Sequence, residues 1–269
     1  MVCLNNFRII SFLSFILLSS VTFLCDCVSA KEKDAILVAA ASNLQFAMDE
    51  IIQHFEKKKL NNKVEIVYGS SGNFFNQIRN GAPFDLYFSA NIRYPEYLEK
   101  KGLGTEASTY AFGRMAVMAS VYYGIEVQKL RLSSLLHPTV KKIAIANPAH
   151  APYGRSAIAF LKRQNIYEKI REKLIMGENI SQAAQFVDSG AAEIGIIALS
   201  LAIKTNEAGR VSYWEIPAET YPPIEQKFII LKRTKKYPLV REFTDFVQGR
   251  EGQSILIRHG FEVPAGSLQ

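Results

Sequence analysis

An α/β fold, with parallel sheets covered by helices on both faces, is what this sequence predicts, and three observations carry the prediction. Apolar, strand-like runs alternate with segments of helical period from Ile36 onward. Small polar turns stand where strands give way to helices, as in VEIVYGSSGNFFNQI (64–78). Two further apolar runs, GRMAVMAS (113–120) and IEQKFIILKR (224–233), break the alternation and read as crossings between a pair of lobes. Repeated strand–helix units favour parallel sheets flanked by helices.

From the N-terminus, the first thirty residues stand apart. Arg8 is the only charge before the apolar run IISFLSFILLSSVTFL, Ile9 to Leu24; Val28-Ser29-Ala30 then offers small residues, followed by KEKD. This is the layout of a secretory signal peptide (1–30), so the mature chain is expected to start at Lys31 and to be exported to the periplasm. The apolar run falls short of the ~20 residues of a spanning helix. Lipidation at Cys25 or Cys27 is disfavoured because Leu24 and Asp26 precede them, where a small residue is needed. All three cysteines (Cys3, Cys25, Cys27) lie in this leader. A mature chain without cysteine excludes a disulfide framework, a thiolate metal site and a cysteine nucleophile. The leader holds one charge of each sign, Arg8 and Asp26, so the net charge of +7 survives its removal.

The first strand (36–41) leads into a helix on which Leu44, Met48, Ile51 and Phe55 recur at helical spacing. A strand at 64–68 precedes a helix carrying Phe74, Phe75 and Ile78. PFDLYFSA (83–90) is a third strand, and YPEYLEKKG a helix stopped near Gly102. The pattern resumes with KKIAIANP (141–148), a helix from about Arg155, a helix at 180–189 and the strand EIGIIALS (193–200). PLVREFTDFVQGREGQSILIRHGF at the C-terminus reads as helices returning to cover the first lobe. Lobe 1 is thus expected over 31–114 and 229–269, and lobe 2 over 115–228.

In an α/β sheet the C-terminal edge of the strands, where helices begin, is the default ligand site. A helix start has unpaired N–H groups and a partial positive charge of about +0.5. Ser42, Asn43 and Ser71 add side-chain donors at two such starts. The alternative for each serine is ordinary helix capping. Two such turns in consecutive units of one lobe suggest an anion held between them. In ANPAHAPYGRSAIAFL (146–161), Pro148, Pro152 and Gly154 form an extended loop that can aim the Tyr153 N–H outward; an ordinary connecting loop is the alternative. In GENISQAAQF (177–186), Asn179 can cap a helix whose exposed start carries the Ile180 amide. The four histidines, at 54, 137, 150 and 259, have no metal-ligand spacing. Gly69 and Ser71 fit part of a nucleophile elbow, but the closing glycine of G-x-S-x-G is Asn73. The lysine runs at 57–59, 141–142 and 232–236 read as solvated faces, with no nucleic-acid motif beside them.

Taken together, AAASNL (39–44), YGSSGNFFNQI (68–78), FDLYFSA (84–90), ANPAHAPYGRSA (146–157), GENISQAAQFVDSGAAEIGIIALS (177–200) and RHGF (258–261) resemble the exported molybdate-binding proteins of ABC transporters, which often bind tungstate too. The likeness covers nearly the whole mature chain, with the motifs in the family's order. It implies a two-lobed type II periplasmic binding-protein fold with a tetrahedral oxyanion in the cleft between the lobes.

The resemblance maps the oxyanion ligands onto the hydroxyls of Ser42 and Ser71, the amide of Asn43, and the backbone N–H groups of Tyr153 and Ile180. It implies no catalysis, no cofactor and no metal beyond the molybdate or tungstate itself, no nucleic-acid partner, a monomer, and delivery to an ABC permease in the membrane. Other members carry a tyrosine hydroxyl in the strand after the last of these helices; here Ala198 stands at that place, and Asn43 is the substitute donor. Neutral donors replace lost hydration without a full counter-charge, each bond to a charged group contributing roughly 1.5–3 kcal/mol net. With no carboxylate in the set, nothing receives a phosphate proton. A receptor for another tetrahedral oxyanion such as sulfate, and a secreted hydrolase using Ser71, are the alternatives.

Overall fold

Two five-stranded sheets, each covered by helices, organise the protein in a computed structural model that describes residues 34–59 and 62–266. The expected signal peptide (1–30) lies outside the described residues. The first half runs β1 (Asp34–Ala41), α1 (Gln45–Lys58), β2 (Asn62–Gly69), α2 (Ser71–Arg79), β3 (Leu86–Ser89), α3 (Arg93–Lys100) and β4 (Gly104–Gly113). The chain then crosses to β5 (Met115–Ser120), α4 (Val127–Leu130), β6 (Ile143–Ala146), α5 (Pro152–Arg163), α6 (Tyr167–Ile170), β7 (Leu174–Gly177), α7 (Ile180–Asp188), β8 (Ile194–Ala198), α8 (Leu199–Asn206) and β9 (Val211–Glu215). It returns as β10 (Ile224–Leu231) and ends in α9 (Tyr237–Gln248) and α10 (Arg250–Arg258).

Strand order is β2-β1-β3-β10-β4 in the first sheet and β7-β6-β8-β5-β9 in the second. The βα units pair in parallel: β1 with β2 and β3, and β6 with β7 and β8. The strands that enter after a crossing, β5 and β10, pair antiparallel with their neighbours. Strands such as LYFS and IAIA are buried at every residue, as central parallel strands covered on both faces must be. Helix α1 buries Met48, Ile51 and Phe55 at helical spacing, and the Phe55 ring meets Phe243 of α9 edge-on at 5.1 Å between centroids. The C-terminal helices therefore do cover the first sheet.

Four expectations about elements are corrected. The chain passes from β4 to β5 at Arg114, and β10 begins pairing with β4 at Ile224, so the return lies before it and not at 229. Strand β8 stops at Ala198 and a helix starts at Leu199, whose N–H donates to the Arg114 carbonyl at 2.8 Å. Apolar character continues across that boundary because the first turn of α8 is buried as well. Helix α5 starts at Pro152, whose fixed φ suits the first helical position, and not near Arg155. Finally β4, β7 and β9 escape the sequence reading. All three are edge strands, and only partly buried ones, so their apolar signal is weak.

Candidate functional site

The five residues singled out from the sequence meet at one small cavity. Its lining includes Ser42 and Asn43 after β1, Ser71 after β2, Ala90 after β3, Tyr153 on α5, and Asn179 with Ile180 at the start of α7. Both sheets thus present their strand C-terminal edges to a common point, the position that βα chemistry favours for ligands. Among the described residues, no charged side chain lines it. The free space, about 10 Å³ for the centre of a water-sized sphere, is about what one water needs. A tetrahedral oxyanion needs more, so the walls have to give way to take one.

Hydrogen-bond inventories decide what each wall can offer. Ser71 is buried at the first position of α2, and its Oγ accepts from the Ala90 N–H at 3.0 Å. A hydroxyl carries one donor and two lone pairs, so the Ser71 proton remains available to the cavity. The Tyr87 hydroxyl, which donates to the Ser71 carbonyl at 2.7 Å, pins that turn from below. Among the described residues, Ser42 Oγ makes only long contacts, donating to Asn179 Oδ1 at 3.3 Å and accepting from Ser181 N at 3.4 Å. Among the described residues, the Tyr153 and Ile180 amide N–H groups have no acceptor. Both sit in the first turn of a helix, where the helix itself supplies none. Asn179 caps α7 by accepting from Gln182 N at 3.0 Å, which fixes the direction of the Ile180 amide.

Asn43 is 1% exposed. Its Nδ2 donates to Tyr153 Oη at 3.3 Å and to Gln226 Oε1 at 3.2 Å, while its Oδ1 has no partner among the described residues. The Tyr153 phenol is therefore a support behind the wall. Burial, reinforced by the neighbouring Tyr221, pushes its pKa well above the ordinary phenol value, so it keeps its proton. Ala198, buried at the end of β8, brings no donor.

Bonds across the cleft clasp the two halves round this cavity. The His150 carbonyl accepts from Ser70 Oγ at 2.8 Å and from the Gly72 N–H at 2.9 Å. Ser200 Oγ donates to the Asn43 carbonyl at 2.7 Å, and Ser181 Oγ to the Ser42 carbonyl at 3.0 Å. His150 Nδ1 lies 3.0 Å from Ser70 Oγ and its Nε2 3.6 Å from Glu178. His150 thus stands beside Ser70 and not Ser71, whose Oγ meets a backbone amide instead; Ser70 gives its own proton to a carbonyl. Ser70, Ser181, Ser200 and Gln226 were not singled out from the sequence. Ser70 shares the polar turn of Ser71, but nothing in the local pattern marks the other three, since each acts through the opposite half of the molecule or from mid-strand.

Comparison with known proteins bears on the same region. The family model described as bacterial extracellular solute-binding protein matches residues 36–262. The chain is 34% identical over 235 residues to the molybdate-binding protein ModA of Azotobacter vinelandii, covering 86% of this chain and 91% of that protein. It is 31% identical over 228 residues to ModA of Rhodobacter capsulatus, with coverage of 84% and 87%. Among solved structures, the periplasmic molybdate-binding protein of Azotobacter vinelandii superposes with a TM-score of 0.78 at 30% identity, covering 85% of this chain and 99% of that one. The sulfate-binding protein SubI of Mycobacterium tuberculosis, at TM-score 0.74 and 15% identity, covering 87% and 88%, shares the fold.

Proposed function

The chain belongs to the bacterial extracellular solute-binding protein family, and on that premise we propose that it captures molybdate, and tungstate with it, for delivery to an ABC permease. One observation carries this reading: neutral donors from both sheets converge on one cavity, with the Ser71 hydroxyl, the Tyr153 N–H and the Ile180 N–H free of acceptors among the described residues. A dianion leaving water must have its hydration replaced, and fixed dipoles do so where they lose no hydrogen bond of their own. The starts of α2, α5 and α7 add their partial positive charge. Ser42 and Asn43 complete the set in this reading. The molybdate-binding relatives and the structural likeness to one of them support the choice of anion.

Binding is the whole of the activity. The anion touches residues of both sheets, so it favours the form in which they are apposed; that difference in affinity is what a permease can sense. The protein acts as an exported monomer, its leader at 1–30 removed, and needs no cofactor.

Calorimetric titration of residues 31–269 with molybdate, tungstate, sulfate and phosphate tests this. One-to-one binding of the first two at micromolar strength or better, about −8 kcal/mol, undisturbed by sulfate, is the expected result. Silence with molybdate but saturation by sulfate would keep the cleft and replace the ligand. Labelling of Ser71 by an active-serine probe would overturn the binding role itself.

A further inference from the structure

Next to Asn43 lies a buried polar cluster that the anion reading leaves unused. Gln226, in β10, is wholly buried, and a primary amide buried without partners is strongly destabilising. Its partners are specific. Tyr110 Oη of β4 donates to Gln226 Oε1 at 2.8 Å, Asn43 Nδ2 donates to the same oxygen at 3.2 Å, and Gln226 Nε2 donates to Tyr153 Oη at 3.4 Å. Gly113 makes room for this cluster: a Cβ there would stand 2.2 Å from Tyr153 Oη and 2.6 Å from Gln226 Nε2. The cluster ties the turn after β1, and β4 and β10, of one half to α5 of the other.

One atom does not fit. Asn43 lines the cavity, its Nδ2 is spent on Tyr153 and Gln226, and its Oδ1 is buried without a partner among the described residues. In this setting the side chain has only an acceptor left to offer the cavity, and an acceptor repels an oxyanion. Turning the Asn43 amide over about its last torsion exchanges oxygen and nitrogen and presents the NH2 to the anion. Asn43 Oδ1 then faces Gln226 Oε1, acceptor against acceptor, unless Gln226 turns as well. When it does, Gln226 Nε2 takes the place between Asn43 and Tyr110 and uses its two N–H groups on Asn43 Oδ1 and Tyr110 Oη. Gln226 Oε1 and Asn43 Oδ1 then both flank Tyr153 Oη, whose single proton is donated to one of them, and the Tyr110 proton gives up its bond to Gln226. Burial holds the Tyr110 and Tyr153 phenols protonated, so both can donate or accept as the amides require.

We propose that Gln226 is a positioning residue that sets the Asn43 amide toward the oxyanion, its own amide turning in step. The proposal rests on the reading of the cavity as the oxyanion site. Glutamine suits position 226 because its two ends differ in sign and can be exchanged. An apolar residue leaves Asn43 unoriented, and a carboxylate, which only accepts, holds Asn43 in the setting that repels the anion.

The test is a double-mutant cycle read by calorimetric titration with sodium molybdate. The four proteins are wild type, Gln226→Met, Asn43→Ala and the double variant, with thermal unfolding of each measured without molybdate. Gln226→Met keeps length and volume and removes every hydrogen bond. The expected result is about tenfold weaker binding from Gln226→Met in the wild-type background and less than twofold in the Asn43→Ala background. Equal losses in the two backgrounds, or no loss in either, would overturn the positioning role, because an effect through general stability does not depend on Asn43. If Gln226→Met does not fold, Tyr110→Phe replaces it in the cycle: a loss of a few fold that vanishes with Asn43→Ala supports the role, and an equal loss in both backgrounds overturns it. Wild-type protein that ignores molybdate would overturn the functional reading and this role with it, an outcome visible before any variant is made.

Discussion

Ser71 shows how a residue can be marked by its sequence and yet be explained only by its partners. Its place at a strand-to-helix turn was legible, and so was that of Ser42, Asn43, Tyr153 and Ile180; what could not be read was where each hydroxyl and amide sends its bonds. The Ala90 N–H occupies a lone pair of Ser71 Oγ and leaves the proton over. Ser71→Ala therefore has two separable effects. Molybdate binding weakens at least tenfold, measured by titration calorimetry. The orphaned Ala90 N–H also lowers stability without ligand by about 1–3 kcal/mol, read from denaturant unfolding. At Tyr153 the contact assigned to the ligand is backbone. Tyr153→Ala and Tyr153→Pro lose the same phenol, but only proline loses the N–H, and the first turn of a helix tolerates it. The proline variant is expected to bind at least tenfold more weakly than the alanine variant, and equal affinities would remove the amide from the site. The part played by the Tyr153 phenol had no local signal, since it depends on Gln226 from a distant strand.

Among the elements, α2 decides how closely the halves approach. Its second residue, Gly72, donates to the His150 carbonyl, and a Cβ at that point would sit 2.5 Å from the same oxygen. Gly72→Ala forces that backbone apart. We expect affinity for molybdate to fall at least tenfold and small-angle X-ray scattering with molybdate to give a larger radius of gyration than wild type. The carbonyl that Gly72 meets, from the other half, is invisible in GSSGNFF. The junction of α1 and α10 behaves differently. Glu50 meets Arg258 at 2.5 Å and His259 at 2.8 Å. Burial raises its pKa, but the bonds from His259 and Arg258 outweigh that and hold it below the usual carboxylate value of 4.5. A depressed carboxylate contributes stability above its unfolded pKa and loses it as pH falls through the folded one. Glu50→Gln should thus cost about 0.2–1 kcal/mol at neutral pH, a difference that urea unfolding should find vanishing in acid as Glu50 protonates. The strands that escaped the sequence reading, β4, β7 and β9, share one cause: at a sheet edge the alternation of buried and exposed residues is diluted by open positions.

At the scale of the whole molecule, the two-sheet plan could be read from strand–helix alternation and from the two runs that broke it, whereas the return point could not, because Ile224 begins a strand whose apolar run looks the same on either side of residue 229. That strand has a consequence for how the protein comes into being. β10 lies between β3 and β4, so Leu86 waits for Ile230 and the first sheet stays unfinished until the chain is nearly complete. The second sheet draws all its strands from one unbroken stretch, β5 to β9. Long-range pairing closes slowly and local pairing quickly, and chains fold from the N-terminal end as they emerge. The part made later should therefore be ready sooner, while β3 and β4 hold open edges that invite mispairing. The only tryptophan, Trp214, is in β9 and reports on the early half. In refolding from urea its fluorescence should recover before the ability to bind molybdate returns; recovery of both at one rate would mean that the halves fold as a single unit.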